Sequence, residues 1–174
     1  MTNWTEIYQP LVGRTLDALI WMPMTSDTPD LVRDFELSAF SFTGGVFLAF
    51  DGKPLFLTWT QIGMSMVLGA GPDVAWSRYA LNRVRVSPEE PWGDLEGAVL
   101  QRVELFTAPL INESIADKLV VGVRHQMRRD GVDHHFWIGT GGADFLGDQD
   151  DLWVGVGVEP SNIADLIRVG AIEA

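Results

Sequence analysis

The second half of the chain repeats the first. Leu11–Leu19 returns as Leu95–Val103, 84 positions later, and each copy is followed by an apolar stretch interrupted by Asp-Gly, at Asp51-Gly52 and Asp130-Gly131. A third block, a Leu-Gly pair and then an Asp before a Trp, comprises Leu68-Gly69, Asp73 and Trp76 in the first half, and Leu146-Gly147, Asp151 and Trp153 in the second. Three blocks in one order predict an internal duplication with a pseudo-two-fold axis. We expect a first unit at 1–86, a linker rich in Pro and acidic residues at 87–94, and a second unit at 95–174.

The apolar pattern predicts mainly strands. Thr15–Met22 and Val99–Phe106 alternate and end before a proline, and each Asp-Gly pair predicts the turn of a β-hairpin. A short helix or turn is predicted at Asn3–Pro10, and short helices are predicted at Asp73–Leu81 and Ser161–Arg168. The last has an N-capping serine, an early acid, a late arginine and a glycine after its end. The sequence therefore predicts one compact α+β domain, rich in β-structure, in which each half contributes an apolar hairpin and short helices.

The two hairpins differ in polarity. The first, Val46–Trp59, is apolar on both faces and is expected to be covered on both sides. A two-residue turn at Asp130-Gly131 pairs His125 with Phe136 and Gln126 with His135 in the second hairpin. One face of this hairpin is then apolar and includes His125, and the other is expected to face water and carries Arg124, Gln126, Arg128, Asp133, His135 and Trp137. We expect Trp137, and Trp92 in the linker, to be exposed aromatic anchors.

Charge and composition exclude several classes of function. The chain has 24 acidic and 12 basic residues and a formal charge of −12, so binding to nucleic acids or anionic membranes is disfavoured, whereas a basic protein would be attracted. It contains no cysteine, which excludes disulfides and thiolate chemistry. We expect no secretory segment, no apolar run of membrane-spanning length and a cytoplasmic, bacterial-type protein.

The second hairpin concentrates the residues that could support metal or acid–base chemistry. Its three histidines, His125, His134 and His135, lie near Asp133 and an acidic loop at 144–151. Alternation along the strands places His135 on one face and the other two on the opposite face, which argues against a three-histidine site. Gly139–Asp144 lacks the lysine of a phosphate loop, and Asp148–Glu159 lacks the glycine of a calcium loop. No metal or cofactor is therefore predicted.

These observations favour a non-catalytic, acidic binding protein that recognises a basic protein partner, such as an inhibitor or immunity-type protein. The predicted contact residues are Asp133, His135, Trp137, Asp144, Asp148, Asp150 and Asp151. The linker acids Glu89 and Glu90 could extend this surface. The alternatives are a metal-dependent hydrolase that uses His134, His135 and Asp133, and a small-molecule binder with a pocket between the repeats. The sequence leaves open whether the chain forms a homodimer.

Overall fold

The computed structural model describes residues 2–23, 39–62, 65–71, 84–85, 92–108, 119–140 and 151–174. These residues form a curled antiparallel half-barrel sheet. The strands are β1 (Leu16–Pro23), β2 (Ala39–Phe50), β3 (Lys53–Ile62), β4 (Ser65–Gly71), β5 (Val84–Arg85), β6 (Val99–Thr107), β7 (Gly122–Arg129), β8 (Val132–Thr140), β9 (Asp151–Val156) and β10 (Ile167–Glu173). All of their pairings are antiparallel.

The predicted α+β class is wrong, because helical structure is almost absent from the described ranges. They contain one short helix, α1 (Trp4–Tyr8), and a single 3-10 turn at Gly93–Leu95. Helix α1 confirms the helix predicted near the N-terminus, and its Glu6 N–H donates to Asn3 Oδ1 at 3.4 Å. The helix predicted at Asp73–Leu81 lies outside the described residues. Among the described residues, no helix has the length and apolarity needed to cross a membrane.

The helix predicted at Ser161–Arg168 is a series of turns followed by a strand. Residues 161–165 form turns, with hydrogen bonds from Ile163 N–H to Pro160 O and from Asp165 N–H to Asn162 O, and β10 begins at Ile167. Strand β10 pairs with β6, while Ile163 and Leu166 pack against a hydrophobic cluster. Capping signals contribute only about 1 kcal/mol each, so the ladder and this burial outweigh them.

Strand β2 connects the two halves of the sheet. The strand order is β10-β6-β7-β8-β9-β2-β1-β5, with β3 paired to β2 and β4 paired to β3. The first part of β2 (39–43) pairs with β9, and its second part pairs with both β1 and β3. The change occurs at Gly44, whose φ is +150°, and Gly45, where a Cβ would clash with the Phe56 ring. Glycine at these two positions allows the strand to serve both halves.

The repeated segments lie next to each other and exchange hydrogen bonds. Gly13 N–H donates to Leu100 O at 2.8 Å, and the position 84 residues after it, Gly97, donates to Leu16 O at the same distance. Both glycines have a φ of +83°. The strands that follow each carry a bulge, between Leu16 and Ala18 in β1 and between Leu100 and Arg102 in β6. These equivalences favour the duplication at this junction, but the division at 1–86, 87–94 and 95–174 stays a prediction.

The main core lies between the two halves and includes the linker tryptophan. Trp92 is buried and packs edge-to-face against Trp21, with ring centroids 4.9 Å apart. The prediction that Trp92 is an exposed anchor is therefore wrong. Burial of an indole excludes a large apolar area from water, so Trp92 ties the end of the linker to the core.

Candidate functional site on the second hairpin

The predicted register of the second hairpin is confirmed. His125 pairs with Phe136 and Gln126 pairs with His135 across β7 and β8, and Asp130 and Gly131 form the turn with φ values of +51° and +82°. Positive φ at both central residues is typical of the type I′ turn, which fixes the register of the strands. Residues therefore fall on two faces, an inner face towards the main core and an outer face that includes Arg124, Gln126, Arg128, Asp133, His135 and Trp137.

His125 belongs to the core. Its ring is fully buried, stacks on Phe136 with centroids 4.1 Å apart, and shares a hydrogen bond of 2.8 Å with the Tyr8 hydroxyl. Burial lowers the pKa of His125 to about 3, and the nearby backbone of Phe136 raises this pKa to a smaller extent. Burial likewise raises the pKa of Tyr8 well above its usual value. The neutral imidazole therefore anchors α1 to β7.

The outer face is organised around Glu104 of β6, which is only 5% exposed. Arginines from three strands surround its carboxylate: Arg168 Nη1 at 2.9 Å, Arg102 Nη2 at 3.2 Å and Arg124 Nη1 at 3.5 Å. Gln126 Nε2 also donates to Glu104 at 3.2 Å. Since a buried carboxylate is costly unless it is paired, this network stabilises the charge and fixes the arginines on the sheet.

His135 lies beside this network, on the same face as Asp133. Its Nε2 is 3.4 Å from Glu159 Oε1, and the same oxygen forms an ion pair with Arg124 Nη2 at 3.0 Å. Partial burial and the nearby Arg124 lower the pKa of His135, and Glu159 raises it to a smaller extent. The ring is therefore mainly neutral at pH 7.

A polar cleft of about 330 Å³ opens over this part of the outer face. Its polar lining includes Gln101 at the bulge of β6, Arg124, Gln126 and Arg128 of β7, and Asp133 and His135 of β8. His134 also borders it. The cleft thus brings together two of the predicted contact residues, Asp133 and His135. Asp133 is at the rim, with 78% of its side chain exposed.

Trp137 is fully buried, so the prediction that it is an exposed anchor is wrong. Its ring packs against Phe106, with centroids 4.8 Å apart, and the Arg124 guanidinium lies 5.8 Å from its centroid. Trp137 belongs to a second hydrophobic cluster, against which Val158, Ile163 and Leu166 pack. Residues of the segment that was predicted to be a helix thus help to cover one end of the outer face, which alternation alone predicted to face water.

The other predicted contact residues cannot be placed in this cleft. Asp144, Asp148 and Asp150, and the linker acids Glu89 and Glu90, lie outside the described residues, and Asp151 is known only as the first residue of β9. Across the described ranges, no three His, Asp or Glu side chains form a group that could hold a metal ion. The hydrolase alternative therefore stays an untested prediction.

Sequence reasoning missed Glu104, Arg102, Arg168 and Glu159 as parts of this face. The alternation of Arg102 and Glu104 on β6 was a usable signal, because residues two apart on a strand share a face. Arg168 and Glu159 carried no such signal, since Arg168 lay in a predicted helix and no structure was predicted at Glu159. Comparisons of the chain with known protein families, with characterised proteins and with solved structures find no match.

Proposed function

We propose that this chain is a non-catalytic binding protein that recognises a basic protein partner, as an inhibitor or immunity-type protein does. The excess of carboxylates, 24 against 12 basic residues, supports this proposal. Such an excess attracts a basic partner over several ångströms and speeds its association. The cysteine-free composition supports a cytoplasmic location, which is part of the same proposal.

The tip of the second hairpin offers the best-defined docking surface. Val132 is 56% exposed, and it lies between two carboxylates whose side chains are more exposed still, Asp130 at 91% and Asp133 at 78%. An exposed apolar side chain with carboxylates around it is suited to a partner surface that carries lysines or arginines around an apolar patch.

Nearby arginines do not occupy these carboxylates firmly. Arg128 Nε lies 3.7 Å from Asp133 and Arg129 Nε lies 3.7 Å from Asp130, and the pairs are open to solvent. Exposed pairs of this length contribute little, in the range of about 0 to 1 kcal/mol. Basic groups of a partner can therefore compete for both carboxylates.

The predicted contacts Asp144, Asp148, Asp150 and Asp151 lie in one acidic segment. Residues 144–151 contain these four carboxylates and no basic residue. This local excess of negative charge would steer a basic partner, and the hairpin tip would supply further contacts.

Neutralisation of the predicted contact carboxylates tests the proposal. The tagged protein is used to capture partners from lysate at low and high salt, and the association rate of each captured protein is then measured with purified components. We expect a basic protein whose association slows several-fold with Asp130→Asn/Asp133→Asn, and slows further with Asp148→Asn/Asp150→Asn/Asp151→Asn, with a flatter salt dependence in each case.

The matched control is Glu6→Gln/Asp165→Asn, which removes the same charge from two exposed carboxylates elsewhere. Equal effects of the control and the hairpin variant would show that only net charge matters. An association rate that neither variant nor salt changes would contradict the proposal.

A further inference from the structure

We propose that the polar cleft on the outer face of β6, β7 and β8 is a binding site for a small organic oxyanion, through its carboxylate or phosphate group. This site adjoins the proposed protein-docking surface and shares Asp133 with it, but it relies on basic and amide side chains instead of the acidic excess. The cleft volume of about 330 Å³ falls at the lower end of the range of small-molecule sites.

The base of the cleft is fixed before any ligand binds. Glu104 and Glu159 hold the Arg124 guanidinium from two sides, at 3.5 and 3.0 Å, and the Trp137 ring lies beneath it. Gln126 is tied to the same Glu104 carboxylate. Since these side chains are already ordered by their neighbours, little conformational entropy is lost when a ligand contacts them.

Hydrogen-bond donors outnumber acceptors in the cleft. Among the described residues, the buried atoms Arg124 Nε and His135 Nε2 have no hydrogen-bond partner; Glu159 Oε1 lies 3.4 Å from His135 Nε2 without forming a hydrogen bond. Buried polar atoms are normally paired, so both atoms favour an additional partner. An arginine Nε–H can donate a hydrogen bond but cannot accept one, and a neutral histidine can donate from one ring nitrogen.

Arg128 supplies a charge that can close on the ligand. Its side chain is 56% exposed, and its ion pair with Asp133, at 3.7 Å, is weak. A guanidinium binds carboxylate and phosphate through paired N–H donors, so an oxyanion at the base of the cleft would recruit Arg128 from the rim. Asp133, also at the rim, would accept from a hydroxyl or amino group of the same ligand and would disfavour ligands with several negative charges.

Titration of the full chain with succinate and with inorganic phosphate tests the site, and NMR correlations of the arginine Nε–H groups report on it. We expect a saturable shift of the Arg124 Nε–H signal at millimolar probe, with chloride at equal ionic strength giving none. Saturation by succinate alone would identify carboxylates as the ligand class, saturation by phosphate alone would identify phosphates, and saturation by both would identify the oxyanion as the shared feature.

Arg128→Gln should weaken the saturable binding about tenfold, because a charge-assisted hydrogen bond is lost. The matched control is Arg14→Gln, which removes a partly exposed arginine from the first half of the chain and should leave the affinity unchanged. The absence of a saturable shift, or an equal loss with Arg14→Gln, would overturn the proposal. Unchanged amide spectra of both variants outside their own neighbourhoods would show that they fold.

Discussion

The two β-hairpins of this protein have the same turn and opposite surroundings. In each, an Asp-Gly pair has positive φ at both positions: Asp51 at +45° and Gly52 at +73°, Asp130 at +51° and Gly131 at +82°. The tip of the β2–β3 hairpin is tied to the rest of the chain. Asp51 Oδ1 accepts from Thr15 N–H at 3.2 Å, and Asp17 Oδ2 accepts from Gly52 N–H at 2.6 Å.

Among the described residues, the turn residues Asp130 and Gly131 of the β7–β8 hairpin have no comparable tie; Asp130 lies 3.7 Å from the neighbouring Arg129, and most of its side chain is exposed. The strands differ in the same way. Both hairpins bury apolar side chains in the main core, but the second also presents arginine, glutamine and histidine on its outer face. Turn chemistry therefore sets the register of both hairpins, and contacts with the rest of the chain determine whether a hairpin is enclosed by the fold or exposed at its surface.

The largest expected difference between the hairpins is their response to acid, because the second has a histidine in its core face. The folded-state pKa of His125 is about 3, below the ordinary value of 6.5. Above pH 6.5 the ring is neutral in both states and its contribution is complete. As the pH falls from 6.5 towards 3, the unfolded chain binds a proton that the folded chain excludes, so stability is lost, up to about 5 kcal/mol.

Urea unfolding of the protein and of His125→Gln between pH 7 and 3 measures this contribution. Carboxylates also titrate in this range, so the quantity of interest is the difference between the two pH profiles. Glutamine can still bond to Tyr8, and the variant should lose less stability on acidification than the natural chain. His134→Gln, on the same strand pair but partly exposed, is the matched control. Parallel profiles for His125→Gln would show that the ring is not buried as described.

The second effect concerns the outer face of the second hairpin, which has no counterpart on the apolar first hairpin. Glu104→Gln should destabilise the fold by about 2 to 4 kcal/mol, because a buried carboxylate with three arginine partners is replaced by a neutral group and the arginines then repel one another. The exposed Glu173, which contacts only Arg102 in this network, provides the control.

We expect Glu173→Gln to change the free energy of unfolding by less than about 0.5 kcal/mol, as is usual for surface substitutions. Denaturant unfolding at low and high salt compares the two variants. If both lose the same small amount, the Glu104 network is a surface feature and the cleft beside it has no fixed base.

Sequence patterns predicted local features of this chain and missed those that depend on distant segments. The strands near Thr15–Met22 and Val99–Phe106, both hairpin turns and the pairing of His125 with Phe136 follow from alternation and turn chemistry within a few residues, and all are confirmed. The helix predicted at Ser161–Arg168 failed because the alternative, pairing of β10 with β6, involves residues about sixty positions away.

The same reason explains the error at Trp137. Alternation correctly placed its side chain on the outer face. The pattern of a single strand contains no information about the 157–166 segment, which packs over one end of that face. For this reason, the sequence predicted only some of the residues of the site. Asp133 and His135 lie on their own strand pair and could be placed together, whereas Glu104, Arg168 and Glu159 reach them only through tertiary pairing.

The smallest expected effect separates the two hairpin tips directly. Asp51→Ala and Asp130→Ala introduce the same residue at nearly the same positive φ, so the backbone cost is shared and cancels in the comparison. Asp51→Ala also removes the hydrogen bond from Thr15 and the ion pair with Arg14, and should cost about 1 kcal/mol more than Asp130→Ala. Thermal and urea unfolding of both variants measure the difference. Equal losses would mean that the first tip gains nothing from its contacts, and that it is as available to a partner as the second.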